Sequence, residues 1–379
     1  MKIIVAPDSF KHSLRAGGVA DAIASGWASV RPEDEIIKFP MSDGGEGLCD
    51  ALCHALNGKM VKIPTYDPLM RPRLGSAVVA GDTAVIESAE ANGIELLEKN
   101  ELSPLRSTTF GVGELIKVLL LQYHCRNFII GIGGSATVDG GIGMMQSLGC
   151  RFFDQNGGEL PPGMGGGDLR RIAAIDKTSM LPELEMIRIK VACDVSNILC
   201  GECGSAAVFG PQKGATAEMV RILDENLSYW ATLWNDPGIT SGDGAAGGLG
   251  FALRMLGGRM VKGAQLVMEE TGFLRSLDGC DLVITGEGCS DNQTAYGKLC
   301  SQIASAAGRR GVPTLLLSGA LKGDCAELFQ LFSGCFSIST GPGSLEDALK
   351  NCAGNLRDSA SALAGFANIF NRKNVKQDS

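Results

Sequence analysis

The stretch Glu35-Ile-Ile-Lys-Phe-Pro-Met-Ser-Asp-Gly-Gly-Glu-Gly47 joins a short apolar run to a glycine loop that carries two carboxylates. Leu48, Leu52, Ala55 and Leu56 follow it at helical spacing. A strand, a glycine loop and a helix in this order predict one unit of an α/β sheet. Glycine lets backbone N–H groups approach an anion, and carboxylate oxygens bind a hard cation. The sequence of this loop therefore predicts a binding site for a phosphorylated ligand and its magnesium ion.

The same combination recurs at Asp139-Gly140-Gly141 and at Gly286-Glu287-Gly288. Strands are predicted at 2–6 and 35–39. The segment between them has apolar residues at helical spacing, namely Val19, Ile23, Trp27 and Val30, which gives a β-α-β-α opening. Strands at 281–285 and 314–318 repeat the pattern late in the chain. This alternation predicts a parallel sheet with ligands at the carboxyl ends of its strands.

The middle of the chain has a different pattern. Short runs at 61–64, 74–80 and 83–88 are separated by turn sequences and predict antiparallel strands, followed by a helix at 112–122 and strands at 127–132 and 187–193. We therefore predict an α/β protein of two domains. A doubly wound parallel-sheet domain is made from residues 1–60 and 276–379, and a mixed α/β domain of residues 61–275 is inserted in it.

Composition excludes several classes of protein. With 379 residues, 45% hydrophobic and 20% charged, the chain has the composition of a soluble globular protein with more than one core. The formal charge of −8 argues against nucleic acid or an anionic membrane as partner. An apolar run long enough to span a bilayer is missing, so we expect a cytoplasmic protein.

Cysteine and histidine offer little for metal binding. The thirteen cysteines lie mostly in apolar contexts, and Cys200 with Cys203 forms the single C-x-x-C, so we expect buried structural residues. His12, His54 and His124 fit no histidine-based metal motif. Any metal should therefore have oxygen ligands.

The segment Gly131-Ile-Gly133-Gly134-Ser135-Ala136 fits the dinucleotide fingerprint, with Asp154 about 20 residues further on. One alternative function is therefore an NAD-dependent hydroxy-acid dehydrogenase. Against it, Asp139-Gly140-Gly141 interrupts the helix that should follow, and the segment lies in mid-chain. Contact with phosphate or substrate and a purely structural turn remain the other interpretations.

A Walker P-loop is excluded, because Lys298 is followed by Leu299 and Asn292 occupies the position of the first glycine. A kinase would then need a cradle made of several glycine loops. Lys11, Lys213 and Lys298 lie in or beside such loops.

Three carboxylates follow apolar strand-like runs. Asp194 ends one such run, either as a helix N-cap or as a functional group. Glu287, which glycines bracket, and Asp291 are placed by another strand, and for them we favour a functional role.

Seven motifs together resemble the bacterial type I glycerate kinases. They are Ala6-Pro-Asp-Ser-Phe-Lys11, Ser42-Asp-Gly-Gly-Glu-Gly47, Gly133-Gly-Ser-Ala-Thr137 with Asp139-Gly-Gly141, Cys193-Asp-Val195 with Asn197, Phe209-Gly-Pro-Gln-Lys-Gly-Ala-Thr216, Gly244-Ala-Ala-Gly-Gly-Leu-Gly250, and Thr285-Gly-Glu-Gly288 with Asp291, Gln293, Thr294, Gly297 and Lys298. The resemblance implies ATP-dependent phosphorylation of D-glycerate with Mg²⁺. It also implies two α/β domains, of which one is flavodoxin-like and holds the other as an insertion.

The resemblance also suggests roles for individual residues. The catalytic candidates are Asp194, Asp291, Lys11 and Lys298, and the candidate metal ligands are Glu287, Asp194 and Asp291. Candidates for binding substrate or nucleotide are Asp8, Ser9, Asp43, Gly44, Gly45, Glu46, Gly133, Gly134, Ser135 and Lys213. We expect 2-phosphoglycerate rather than 3-phosphoglycerate as the product, and a monomer or homodimer that acts on small molecules.

Two positions depart from the family pattern. Cys289 stands where the family commonly has Arg after Gly-Glu-Gly, and Ile198 replaces a proline after Asn197. Loss of the arginine removes a bidentate contact that cysteine cannot replace. A further alternative is a regulator that binds a small acid without turnover.

Overall fold

The structure, a computed structural model, describes residues 1–238, 240–295 and 297–374. Its strands in chain order are β1 Lys2–Val5, β2 Glu35–Lys38, β3 Lys59–Tyr66, β4 Pro72–Ala80, β5 Thr83–Glu87, β6 Asn127–Gly131, β7 Arg151–Phe153, β8 Ala174–Asp176, β9 Arg188–Ala192, β10 Arg259–Val261, β11 Leu282–Glu287, β12 Thr314–Ser318 and β13 Gly334–Ser337. Its α-helices are α1 Ala16–Val30, α2 Leu48–Ala55, α3 Ala89–Asn92, α4 Phe110–Leu121, α5 Ile142–Ser147, α6 Ser205–Phe209, α7 Ala217–Leu233, α8 Leu249–Met255, α9 Gly263–Glu270, α10 Phe273–Ser276, α11 Asn292–Ala295, α12 Leu299–Gly308, α13 Ala326–Leu331, α14 Leu345–Lys350 and α15 Cys352–Asn374.

The chain divides into two compact units. The first unit is Met1–Asp43 with Ala264–Ser379, and the second is Gly44–Gly263. The boundaries predicted at 60/61 and 275/276 both lie after the observed boundaries at 43/44 and 263/264. At the first boundary the difference arises because α2 packs on β4 and β5, where the thiol of Cys49 donates to the carbonyl of Val85 at 3.5 Å. At the second, Phe273 of α10 packs edge-on against Phe39 of the first unit.

Among the described residues, the first unit has one five-stranded sheet in the order β13-β12-β11-β1-β2, with every neighbouring pair parallel. Counted along the unit's own chain this order is 2-1-3-4-5, which is flavodoxin-like, as predicted. The strand order reverses between β1 and β11, where Val5 pairs with Ile284. Ligands of such sheets bind outside the carboxyl ends of the strands at this switch point.

One core cluster of the first unit lies between the sheet and the helices α1 and α15. A smaller cluster is formed by residues of α12, β12 and α13. Val19, Ile23 and Trp27 of α1 are buried as the helical spacing predicted, whereas Val30, at the same spacing, is 37% exposed. The two helices touch closely at Gly26, where an added Cβ would lie 2.2 Å from the carbonyl oxygen of Arg357. Neither α15 nor any other helix in the described ranges is both long and apolar enough to cross a membrane.

The second unit has a mixed sheet in the order β10-β9-β6-β5-β4-β3. The pairs β3–β4 and β4–β5 are antiparallel, as predicted for the runs between 61 and 88, and β5, β6, β9 and β10 are parallel. The strands β7 and β8 pair only with each other within the described chain. Because β5, β6 and β9 are parallel, the loops that follow these strands leave the sheet at the same edge.

Candidate active site

Acidic side chains meet at the switch point of the first unit. Asp8 follows β1, and its N–H donates to the carbonyl of Gly286 in β11 at 2.8 Å. One carboxylate oxygen of Asp8 accepts the N–H of Ser9 at 2.6 Å. Burial, with the negative charges of Asp43 and Glu287, raises the pKa of Asp8 to about 7, although the ammonium of Lys11 acts in the opposite direction. A carboxyl group that titrates near neutral pH suits proton transfer.

Glu287, the last residue of β11, is fixed by hydroxyl groups. Its Oε1 accepts hydrogen bonds from Ser290 Oγ at 2.9 Å and from Thr294 Oγ1 at 2.7 Å, and both of these residues are buried. Asp291 lies beside them, with Oδ1 at 3.5 Å from Nζ of Lys298. Sequence reasoning gave Ser290 no role, although a hydroxyl three residues after a strand-end carboxylate is a usable signal.

The structure brings Asp8, Lys11, Asp43 and Glu287 together in the first unit and pairs Asp291 with Lys298. Within the described residues, no three His, Cys, Asp or Glu side chains lie close enough to hold a metal ion by themselves. Mg²⁺ in phosphoryl-transfer sites is commonly bound by one or two carboxylates together with substrate phosphates. The oxygen donors at this edge of the sheet fit that requirement.

The loop after β6 in the second unit presents backbone donors. In the part of the chain that the structure describes, the N–H groups of Gly133, Gly134 and Ser135 have no protein acceptor. The loop is held by two backbone hydrogen bonds, in which the carbonyl of Gly134 accepts from Ile94 at 2.8 Å and the N–H of Ala136 donates to Asn92 at 2.7 Å. Gly134 is left-handed, with φ of 70°. Successive free N–H groups around such a residue form a concave site for an anion.

Two glycines of the second unit allow close packing of the backbone. Gly44 has φ of +92°, and an added Cβ would lie 2.7 Å from the Cβ of Ala192. At Gly131 an added Cβ would lie 2.4 Å from the carbonyl oxygen of Gly44. The loop of Gly44 and the end of β6 therefore touch backbone to backbone, and no other residue fits at either position.

Lys213 is an internal residue of the second unit. Its side chain is buried, and Nζ donates to Ser135 Oγ at 2.9 Å and to the carbonyl of Thr137 at 2.7 Å. Burial lowers its pKa to about 7, against the opposing effect of Asp139. Through these two hydrogen bonds the lysine contacts the end of the loop that has the free N–H groups.

The prediction that Asp139-Gly140-Gly141 serves phosphate and magnesium is wrong for its carboxylate. Asp139 is fully buried. Its oxygens accept from the N–H and Oγ1 of Thr109 and from the N–H groups of Gly141 and Gly143, at distances between 2.7 and 3.3 Å. The carboxylate ties the start of α5 to the residue that precedes α4.

Two further acids end strands of the second unit and meet helix N-termini. Asp194 follows β9 as predicted, and its Oδ1 accepts from the N–H of Gly263, the first residue of α9, at 2.9 Å. Glu87 ends β5, and its Oε1 accepts from the N–H of Cys49 in α2 at 2.8 Å. Burial raises the pKa of Glu87. Sequence reasoning did not single out Glu87, although it ends its strand as Glu287 does. Glu46 lies in the loop before α2.

The dinucleotide interpretation of Gly131–Ala136 is wrong. The loop leads through irregular chain, and α5 begins only at Ile142. The next strand, β7, pairs with β8 and not with β6. Asp154 accepts from the N–H groups of Asn156 and Gly158 within its own exposed turn, at 2.8 and 2.9 Å. Neither the tight turn from strand to helix nor the acid at the end of a neighbouring strand, both of which the fingerprint requires, is therefore formed at Gly131–Ala136 and Asp154.

Comparison with known proteins decides the family. Residues 3–368 match the model of the glycerate kinase family. The chain belongs to the glycerate kinase family. It is accordingly a kinase, a transferase that takes ATP as its phosphoryl donor and acts on a small molecule.

Individual relatives agree over nearly the whole chain. A glycerate kinase of Bacillus subtilis (strain 168) is 43% identical and covers 96% of this chain and 97% of its own length. A glycerate 2-kinase of Escherichia coli (strain K12) is 40% identical, covering 96% and 98%. A crystal structure described as a glycerate kinase 2 from Salmonella typhimurium LT2 is 38% identical, covers 98% of this chain and 99% of its own, and has a TM-score of 0.88. The predicted α/β fold class is thereby confirmed.

Proposed function

We propose that this member of the glycerate kinase family phosphorylates D-glycerate with ATP and Mg²⁺ to give 2-phosphoglycerate. The observation that carries the proposal is the cluster of Asp8, Asp43, Glu287 and Lys11 at the switch point of a flavodoxin-like sheet. We propose the 2-position because the Escherichia coli relative is a glycerate 2-kinase. The product would pass carbon from glyoxylate and sugar acids into glycolysis.

Asp8 is our candidate for the group that takes the proton from the glycerate hydroxyl. Its pKa of about 7 leaves a large fraction ionised at neutral pH while keeping the carboxylate basic. Sequence reasoning placed Asp194 and Asp291 in this role. We propose Asp8 instead, because Asp194 accepts a hydrogen bond at the start of α9 and Asp291 lies beside Lys298.

Charge stabilisation falls to other residues of the first unit. Glu287 and Asp291 would hold Mg²⁺ together with phosphate oxygens, and the ion supplies neutralisation of the charge on the transferred phosphoryl group. Lys11 and Lys298 add positive charge. Asp194 and Asp43 remain candidate acidic contacts.

In the second unit, anions would be received by the N–H groups of residues 133–135 and by the loop of Gly44, Gly45 and Glu46. Ser9 offers a further polar contact in the first unit. We further propose that the protein acts in the cytoplasm as a monomer or homodimer on small molecules, without nucleic acid or membrane.

The product decides between the two hydroxyl groups. In proton-coupled ³¹P NMR, phosphorus on the 2-oxygen couples to the single C2 proton and gives a doublet. Phosphorus on the 3-oxygen couples to two protons and gives a triplet. We expect the doublet from D-glycerate and ATP. A triplet as the first product would refute the 2-position while leaving the kinase activity intact.

Cys289→Arg should lower KM for glycerate or ATP, or raise kcat, by several-fold. The half-buried Cys289 lies between Glu287 and Ser290 in the sequence. An arginine at this position brings a fixed positive charge and can donate two hydrogen bonds to an anion. Steady-state kinetics with each substrate varied will measure the effect. The matched control is Cys203→Arg at an exposed loop cysteine of the second unit, for which no change is expected. Equal kinetics for Cys289→Arg and the wild type would mean that this position does not meet an anion.

A further inference from the structure

Lys213 is a buried lysine that forms no ion pair with a carboxylate in the part of the chain that the structure describes. It ends the short 3₁₀ turn Pro211–Lys213 and is 2% exposed. Among the described residues its Nζ contacts only the hydroxyl of Ser135 and the carbonyl of Thr137. Burying an unpaired charge costs far more than burying a hydrogen-bonded neutral group. The arrangement suits a neutral amine, whose two N–H donors are both satisfied.

The residues around Lys213 hold one segment of backbone. Ser135 and Thr137, which Lys213 contacts, flank the end of the loop with the free N–H groups. The amide nitrogen of Asn92 donates to Thr137 Oγ1 at 3.3 Å, while its buried Oδ1 has no partner in the described structure. Lys213 and Asn92 therefore both bind the end of the loop through hydrogen bonds. Gly133 and Gly134 are exposed, whereas Ser135 is buried.

We propose that Lys213 is a positioning residue, which orients the N–H groups of Gly133, Gly134 and Ser135 toward a substrate oxyanion and takes up a proton when that oxyanion binds. This rests on the proposed function, because the oxyanion is either a phosphate of the nucleotide or the carboxylate of glycerate. Both ligands offer an oxyanion, tetrahedral in the phosphate and planar in the carboxylate, which the backbone N–H groups and the protonated Lys213 would bind.

The direction of the pH effect follows from the charges that act on Lys213. Burial lowers its pKa to about 7, and Asp139, on the loop before α5, is the charged group that opposes this. A bound anion nearby favours the ammonium form and so raises the pKa. Above pH 7 anion binding then requires proton uptake. Affinity should fall as pH rises from about 7 to the pKa of the complex, by at most about tenfold per pH unit.

Calorimetry with sulfate tests this directly, since sulfate does not titrate near neutral pH. Binding is measured at pH 8 in two buffers with different heats of ionisation, so that proton uptake appears as a difference in heat. We expect wild-type protein to take up about half a proton or more per sulfate, because most of the amine is neutral before binding. Competition by ADP or by D-glycerate then shows which of them supplies the oxyanion.

The variant Lys213→Met should bind sulfate at least about tenfold more weakly and without proton uptake. Its control is Lys62→Met, which removes a lysine that donates to Ser76 at 2.6 Å on an exposed strand and should leave sulfate binding unchanged. If Lys213→Met does not fold, Ser135→Ala serves instead. It should weaken sulfate binding several-fold and retain the proton uptake.

Three results would overturn the proposal. They are sulfate binding by wild type without proton uptake, unchanged uptake in Lys213→Met, and the absence of sulfate binding. Because the assay needs no turnover, its outcome is independent of glycerate phosphorylation. A protein that binds sulfate as expected but does not phosphorylate glycerate would contradict the proposed function alone.

Discussion

Asp8→Asn should lower kcat by about 10² or more while raising the melting temperature at pH 8. The loss of activity follows because the amide cannot accept the hydroxyl proton. The gain in stability follows because burial and the negative charges of Asp43 and Glu287 make the ionised carboxylate unfavourable in the folded protein. A residue that is important only for the fold would change stability in the opposite direction.

The size of the stability effect follows from linkage. The pKa of Asp8 is about 7 in the folded protein and about 3.9 in an unfolded chain. The folded state therefore binds more protons between these values, and its stability falls as pH rises from about 4 to 7. Above pH 7 the full pKa shift of Asp8 would lower the free energy of unfolding by about 4 kcal/mol. Relaxation of the protein and residual solvent contact reduce this loss to about 2 kcal/mol. Removing the charge should raise the melting temperature by several degrees.

Activity of the wild type should rise with pH through about 7, as Asp8 becomes ionised, and the corresponding limb of the kcat/KM profile should be absent from Asp8→Asn. The matched control is Asp281→Asn. Asp281 lies just before β11, where its carboxylate accepts from the N–H of Lys2 at 2.7 Å, and it should retain normal kinetics. Near-normal turnover by Asp8→Asn, or a lower melting temperature, would exclude Asp8 as the base.

Asp139→Ala should destabilise the second unit by about 4 kcal/mol. The substitution leaves the buried N–H groups of Thr109, Gly141 and Gly143 without an acceptor, and each such group costs about 1–3 kcal/mol when unsatisfied. For a unit of this size the melting temperature should fall by roughly 10 °C. Thermal unfolding followed by circular dichroism will measure the change.

Asp154→Ala is the control for Asp139→Ala, since it removes a carboxylate that accepts two backbone N–H groups in an exposed turn. Water can replace those bonds, so the expected cost is about 1 kcal/mol or less. Equal melting temperatures for the two variants would show that the buried carboxylate of Asp139 does not hold the unit together.

Local sequence patterns predicted most of the fold. β12 begins and ends where the apolar run does, and the strands of the first unit alternate with helices as a parallel sheet requires. The pattern failed where the choice depended on distant residues. The spacing of α2 shows which face is buried but not which sheet covers it, and α2 packs in the second unit.

Site prediction was limited by the same lack of distant information. Asp43 and Asp139 both precede two glycines, yet Asp139 is buried because Thr109, thirty residues earlier, donates to it twice. Lys213 has the sequence context of a surface charge and lies inside the protein. Glu287 and Asp291 could be proposed from sequence because strand ends of a parallel sheet meet at one edge, whereas Asp8 became a candidate through the family resemblance.

The most direct measurement is ADP formation by the purified protein with ATP, Mg²⁺ and D-glycerate. The account predicts ADP and phosphoglycerate in equal amounts, with both products lost when D-glycerate is omitted or the metal is chelated. ADP formation that does not depend on D-glycerate, or reduction of NAD with a hydroxy acid, would contradict it. So would binding of D-glycerate without turnover.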